Sequence, residues 1–182
     1  MGKPVSSVVR AGAAALVVLL AGCSTAVPAD RARPVQTSPP VHTRVQQMIE
    51  NAIAQVGDTY LFGVEVSPTD PDPDAWDSAE LTRWSAWQVG SVIPGSSVEQ
   101  YLDAKDKGLL IPVDQGLNTP GALLFHFSSE PAAGGGRPDE AHVAFSLGAG
   151  RTVEALDEST GVTTGDAGVR FEYAALVGDL DY

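Results

Sequence analysis

The segment "AWDSAELTRW", residues 75–84, has the features of a helix entrance that could present a nucleophile. Asp77 is a favourable N-cap, and Glu80 three residues later gives an acidic first turn in the manner of a capping box. The first residue after that cap is Ser78. A helix N-terminus can bring a thiol toward ionisation, but a serine hydroxyl has a far higher pKa and needs a base to take its proton. The position therefore suits a nucleophile, and Ser78 could act as one only if a base elsewhere in the chain accepts its proton.

Three helices are predicted around this entrance. The first carries apolar residues at helical spacing and stops at Gly57. The second is the helix of Ser78, ending at about Val89 with Gly90 as its close. A third, "VEQYLDAKDKG", is capped by Ser96 or Ser97 and ends near Gly108. The apolar stripe of the first helix, which we predict to face the core, consists of Val45, Met48, Ile49, Ala52, Ile53 and Val56.

The rest of the chain has the pattern of short strands. The segments "GALLFHF", "AHVAFSLG", "TVEAL" and "YAALV" are apolar and are separated by turns rich in Gly, Pro and Asp. Helices come first and strands later, which predicts an α+β fold with N-terminal helices packed on a mostly antiparallel sheet. On the strand of His142, the alternation places Val143, Phe145 and Leu147 on one face. His142 is then expected to point to the opposite face, toward a cleft or water.

The N-terminal residues have the features of an export signal. A basic start is followed by the apolar run "AGAAALVVLL", and "LAGC" then brings Cys23, the one cysteine of the chain. This resembles the lipobox of bacterial lipoproteins, which implies a signal peptide over 1–22 and a lipid-modified Cys23. The alternative is an ordinary secretory signal with a free thiol. Residues 23–43 are Pro- and Ser-rich and are predicted to be a tether, and residues 44–182 form one domain.

The charge of the chain excludes some partners. The net charge is −12, and removing residues 1–22, with two basic and no acidic residues, makes it −14. Such a charge disfavours binding to nucleic acid and to anionic lipid surfaces. The three histidines lack the spacing of a metal site, so no metal or other cofactor is predicted. His126 is expected at the sheet surface. With a lipid anchor, the domain would lie at the cell membrane and face the cell wall.

Four motifs in order give the chain a family resemblance. They are "YLFG", "DSAEL", "TPGALLFHF" and "HVAFSLGAGRTVEA". Together they are similar to the NlpC-type cell-wall peptidases, a family of cysteine peptidases with a papain-like fold. The likeness covers about residues 44–182.

The resemblance implies a role for individual residues. His142 falls on the family's general base, and Glu154 on the third position, which orients the imidazole. Tyr60 and Asp77 are the expected substrate-binding residues. Ser78 falls on the nucleophilic cysteine, so the chain departs from the family at the position where the chemistry is most sensitive.

Three functions remain open at this point. The favoured one is a catalytically silent domain that binds peptidoglycan stem peptides or a cell-wall enzyme, because exchanging the nucleophile's element usually removes activity. The second is an active peptidase or amidase that uses Ser78, His142 and Glu154 on the family's D-glutamyl–diaminopimelate type of bond. The third is a scaffold lipoprotein whose cleft has no role. The oligomeric state is not predicted.

Overall fold

The computed structural model describes residues 43–182. The predicted signal peptide, Cys23 and all of the predicted tether except its last residue lie outside these residues. The helices are α1 Arg44–Ala54, α2 Ser78–Gln88, α3 Ser97–Asp106 and α4 Val113–Asn118. The strands are β1 Thr59–Tyr60, β2 Ala75–Trp76, β3 Leu110–Ile111, β4 Leu123–His126, β5 His142–Gly148, β6 Arg151–Asp157, β7 Gly161–Asp166 and β8 Tyr173–Ala175. Within residues 43–182 no helix has the length and apolar character needed to cross a membrane.

The α1 helix begins at a complete capping box. Thr43 Oγ1 accepts the backbone N–H of Gln46, and the Gln46 side chain accepts the N–H of Thr43. The predicted apolar stripe is correct in its first part, where Val45 is buried, but wrong at its end. Ile53 and Val56 are 41% and 45% exposed, and Val56 lies beyond Ala54, the last residue of α1, where helical spacing no longer applies.

The other predicted helix boundaries are confirmed. Asp77 caps α2 and Ser96 caps α3, each by accepting the N–H of the residue three positions later. Gly90 and Gly108 follow the two helices with φ of 77° and 67°, a conformation that costs glycine little.

The main sheet has the order β3-β8-β4-β5-β6-β7, and all of its pairs are antiparallel. The predicted α+β class with helices before an antiparallel sheet is therefore confirmed. Sequence patterns missed β7 and α4, as well as the two-residue strands β1, β2 and β3. "GVTTGD" of β7 has no apolar alternation. The α4 helix contains Gly116, where a Cβ would lie 2.3 Å from Ala174 Cβ, so close packing on β8 selects the glycine.

Both faces of the sheet are covered. The larger core lies on the side of α1, α2 and α3 and includes Phe145 and Val153. On the other face a smaller cluster is built around Leu124, Ala144 and Phe171, with residues of α4 packed against it. The face opposite Val143 and Phe145, which was predicted to point toward a cleft or water, is therefore covered along most of β5, since Ala144 and Ser146 are fully buried. His142, the first residue of the strand, packs against Phe171 at the edge of this cluster, and its side chain is 15% exposed.

Candidate active site

Ser78 occupies the first turn of α2 in the position predicted for the nucleophile. The cap residue Asp77 uses both carboxylate oxygens: Oδ1 accepts the N–H of Glu80 at 2.8 Å and Oδ2 that of Gly63 at 3.3 Å. Ser78 is 7% exposed and lines a cavity of about 740 Å³, here called the serine cavity. Among residues 43–182 its hydroxyl has no hydrogen-bond partner. Ser78 therefore offers an unpaired hydroxyl in the wall of this cavity, at the positive end of a helix.

Glu80 holds the wall of the serine cavity and does not complete the capping box expected from the sequence. Its buried Oε2 accepts the N–H of Val66 at 2.9 Å and a guanidinium N–H of Arg83 at 2.8 Å. Arg83 also donates to the carbonyl of Val66 at 2.8 Å. The backbone of the loop that follows β1 is thereby fixed to the first turn of α2.

His142 and Glu154 are the one pair of the predicted triad that is hydrogen-bonded among residues 43–182. Nε2 of His142 lies 2.7 Å from Oε2 of Glu154, which comes from the neighbouring strand β6 and is 2% exposed. Nδ1 of His142 has no hydrogen-bond partner among residues 43–182. This is the arrangement of a base whose second nitrogen is held by an acid, leaving Nδ1 to take a proton.

The carboxylate of Glu154 has two further partners, which the sequence did not indicate. Thr152 Oγ1 donates to Oε1 at 2.6 Å, and Arg170 donates to Oε1 at 2.8 Å and to Oε2 at 3.0 Å. Burial raises the pKa of Glu154, but the hydrogen bonds from His142, Arg170 and Thr152 outweigh it and hold the pKa at about 2. Thr152, two residues before Glu154 on the same strand, could have been found by period-two spacing. Arg170 lies in a loop and carries no such signal.

Ser78 and His142 line two cavities that adjoin each other. His142 lines a cavity of about 560 Å³, here called the histidine cavity, and Tyr60 and Arg137 line both cavities. No hydrogen bond among residues 43–182 connects Ser78 with His142. A hydroxyl nucleophile and its base normally lie within about 3 Å, although such contacts are often longer without substrate. The structure thus joins the base to its acid and leaves the hydroxyl outside that pair.

Tyr60, predicted to bind substrate, lines both cavities. Burial raises the pKa of its phenol, the Asp77 carboxylate raises it further, and the guanidinium of Arg137 opposes them. The phenol is therefore protonated at neutral pH. Its O–H has no partner within residues 43–182 and is a donor available to a bound molecule.

The sheet edge beside His142 carries a second histidine. His126 is the register partner of His142 on β4, and its Nδ1 lies 3.0 Å from Glu172 Oε2. Its side chain is 30% exposed, in agreement with the predicted surface position. Residues 43–182 contain no cluster of three His, Cys, Asp or Glu residues that could hold a metal.

Solved structures with the same fold come from cell-wall peptidases and related proteins. The P60 domain of an antigen from M. avium subspecies paratuberculosis matches with a TM-score of 0.59, 23% identity and coverage of 76% of this chain and 96% of that one. The NlpC/p60 domain of the peptidoglycan hydrolase SagA matches with a TM-score of 0.54 and 27% identity, over 72% of this chain and 97% of that one. A third match is a Staphylococcus aureus protein described as similar to lipoprotein, of the NLP/P60 family. Its TM-score is 0.53 and its identity 27%, over 78% of this chain and 44% of that one.

The share of the neighbour that is matched differs between isolated domains and longer chains. The chain spans nearly all of the isolated P60 and SagA domains but less than half of the S. aureus chain. No family model matches the sequence, and no curated protein matches it. The resemblance stated from the four motifs is confirmed at the level of the NlpC/P60 type and its papain-like fold.

Proposed function

We propose that this NlpC/P60-type domain is the peptidoglycan-binding part of a cell-envelope lipoprotein and that it does not cleave what it binds. The observation that carries the proposal is the state of Ser78, whose hydroxyl has no hydrogen bond to His142 among residues 43–182. A thiol at the same place could ionise at the helix N-terminus without such a contact. A hydroxyl cannot, because its proton must be removed during attack.

The surroundings of Glu154 also argue for weak base catalysis. In a Ser-His-acid triad the carboxylate stabilises the imidazolium that forms when histidine accepts the proton. Here both oxygens of Glu154 are already paired with the guanidinium of Arg170. Since that cation offsets the charge of the carboxylate, less of the charge is left to stabilise a protonated His142.

Binding is supported by the cleft that the two cavities form. The serine and histidine cavities adjoin at Tyr60 and Arg137, and together they offer the phenol of Tyr60, the hydroxyl of Ser78 at a helix N-terminus and the guanidinium of Arg137. Two adjoining cavities lined by both polar and apolar side chains suit a peptide, which presents both kinds of group. The neighbouring SagA domain belongs to a peptidoglycan hydrolase, which makes stem peptides the first ligands to test.

An active serine peptidase or amidase is a second candidate, favoured by the intact His142–Glu154 pair at 2.7 Å. A substrate that moved Ser78 Oγ to within about 3 Å of Nδ1 would complete a triad. The two candidates differ in one result. The full chain would bind and release intact muropeptides in the first case and convert them to shorter peptides in the second.

The test combines calorimetry with mass spectrometry on purified muropeptides, using the full chain in detergent. Binding without any new product supports the proposal. Product that disappears on Ser78→Ala supports the serine enzyme. Absence of both binding and product contradicts both and leaves the scaffold function.

Anchoring through Cys23 is a separate part of the proposal and has its own test. Cells that express the full chain would be labelled with a palmitate analogue and fractionated. The unmodified protein should carry label and sediment with membranes, and Cys23→Ser should do neither. Unlabelled, secreted wild-type protein would contradict the lipid anchor.

A further inference from the structure

The guanidinium of Arg137 lies where the serine and histidine cavities meet. Arg137 and Tyr60 are the two residues that line both. Arg137 comes from the loop between β4 and β5, directly after three consecutive glycines, Gly134 to Gly136. A ligand that extended from Ser78 to His142 would therefore pass this charge.

Arg137 is held in place without neutralisation of its charge. One N–H donates to the carbonyl of Ala141 at 2.8 Å, and the guanidinium carbon lies 4.7 Å from the centre of the Phe62 ring. These two contacts fix the orientation of the group. Because they involve a carbonyl and an aromatic face, the positive charge and most of the five donors remain available.

The other two arginines of the cleft already have carboxylate partners. Arg83 is paired with Glu80, and Arg170 with Glu154. No ion pair with Arg137 is found among residues 43–182. The remaining charges near it are acidic: Glu65 and Asp77 line the serine cavity, and Glu140 and Glu172 line the histidine cavity. An anionic group of a ligand would thus be repelled along the cleft except at Arg137.

We infer that Arg137 binds a carboxylate of the peptide that occupies this cleft and thereby sets its specificity and position. The inference rests on the proposed binding of stem peptides. A carboxylate matches the planar fork of a guanidinium and can accept two parallel N–H bonds from it. Stem peptides of the diaminopimelate type carry more than one carboxylate, so the experiment must show which one Arg137 recognises.

The test measures the affinity of the full chain for a panel of synthetic stem peptides by calorimetry. The panel contains the parent peptide, the form with the D-glutamyl α-carboxylate amidated, the form with the diaminopimelyl carboxylate amidated, and the form with its C-terminal carboxylate amidated. Each is bound to the unmodified protein, to Arg137→Gln and to Arg151→Gln. Arg151 is exposed at the start of β6 and lines neither cavity, so it controls for the loss of one positive charge.

One amide form should bind the unmodified protein about tenfold or more weakly than the parent, the usual effect of losing a hydrogen bond to a charged group. Arg137→Gln should bind the parent with that same weakened affinity and should not distinguish it from the amide form. Arg151→Gln should behave as the unmodified protein does. The inference would be overturned if Arg137→Gln and the unmodified protein bound the parent peptide equally, or if Arg137→Gln still preferred the parent to the amide form. The proposed function would stand in either case. If no peptide binds the unmodified protein, the proposed function fails and the inference fails with it.

Discussion

Nε2 of His142 lies 2.7 Å from Oε2 of Glu154, and the same oxygen accepts a bond from Arg170 at 3.0 Å. The acid therefore holds the imidazole in a fixed orientation while it is itself held by a cation. Ser78, which would need the other imidazole nitrogen, makes no hydrogen bond to it among residues 43–182. His142 and Glu154 therefore have the arrangement of a base and its acid, whereas the hydroxyl of Ser78 is not hydrogen-bonded to them.

The environment of Ser78 should still activate a thiol. In a Cys23→Ser background, Ser78→Cys introduces one thiol at the N-terminus of α2, facing the serine cavity. We expect its pKa to fall below the ordinary value of about 8.5, because the helix terminus stabilises the thiolate. The pH dependence of alkylation by iodoacetamide measures this directly.

The control adds His142→Gln to the same chain. If imidazolium contributes, the alkylation profile should shift to higher pH in this variant. A thiol that titrates as free cysteine does in both chains would show that the site no longer activates a nucleophile of either element.

Arg170 should contribute to stability through the buried carboxylate it pairs with. Arg170→Met leaves Glu154 with the partners His142 and Thr152 only, and we expect a loss of about 1–3 kcal/mol, reduced from that of a fully buried pair because Arg170 is 40% exposed. Urea denaturation at pH 7 gives this free energy of unfolding. The matched control Arg151→Met should change it by less than about 0.5 kcal/mol. Equal effects of the two substitutions would contradict a role for the Arg170–Glu154 pair.

The depressed pKa of Glu154 predicts how stability depends on pH. The folded-state pKa is about 2 against an ordinary value of 4.5, so the folded state favours the ionised form. The stabilisation is complete above the unfolded value and is lost as the pH falls from about 5 to about 2. Its size, from the difference between the two pKa values, is about 3 kcal/mol.

Denaturation of the unmodified protein and of Glu154→Gln at several pH values in this range tests the assignment. Glu154→Gln should start less stable at pH 7 and should lose less stability on acidification, because its amide does not titrate. Parallel pH profiles for the two proteins would place the acid sensitivity at other carboxylates.

Asp77 should act on the stability of α2 as well as on the cleft. Its carboxylate accepts the N–H groups of Glu80 and Gly63, so Asp77→Ala leaves both without that acceptor. Loss of an N-cap costs about 1 kcal/mol. Asp74→Ala, at an exposed position of the preceding loop, is the control and should be close to neutral. An Asp77→Ala protein as stable as that control would contradict the capping role.

Local signals account for much of the fold. The caps Asp77 and Ser96 and the closing glycines are short-range patterns with one structural meaning, so the helices they bound could be predicted. The β7 strand could not, because "GVTTGD" is ordered by pairing with β6 rather than by its own alternation. The exposure of Ile53 and Val56 was also missed, since helical spacing does not show where a helix ends or which part of it the rest of the fold covers.

The same distinction holds for the site. Ordered motifs placed Ser78, His142 and Glu154, but motifs do not report whether a hydroxyl reaches its base. Arg170 and Arg137 come from loops, where no periodicity indicates direction. Their roles depend on tertiary neighbours, Glu154 for one and Phe62 and Ala141 for the other.

The most direct measurement of the central claim is muropeptide cleavage by the full chain, followed by mass spectrometry, for the unmodified protein, Ser78→Ala and Ser78→Cys. We predict that only Ser78→Cys releases new peptides. The unmodified protein has the cleft and the His142–Glu154 pair but lacks a thiol, and this substitution supplies one. Cleavage by the unmodified protein that is lost in Ser78→Ala would contradict it and would establish Ser78 as a working nucleophile.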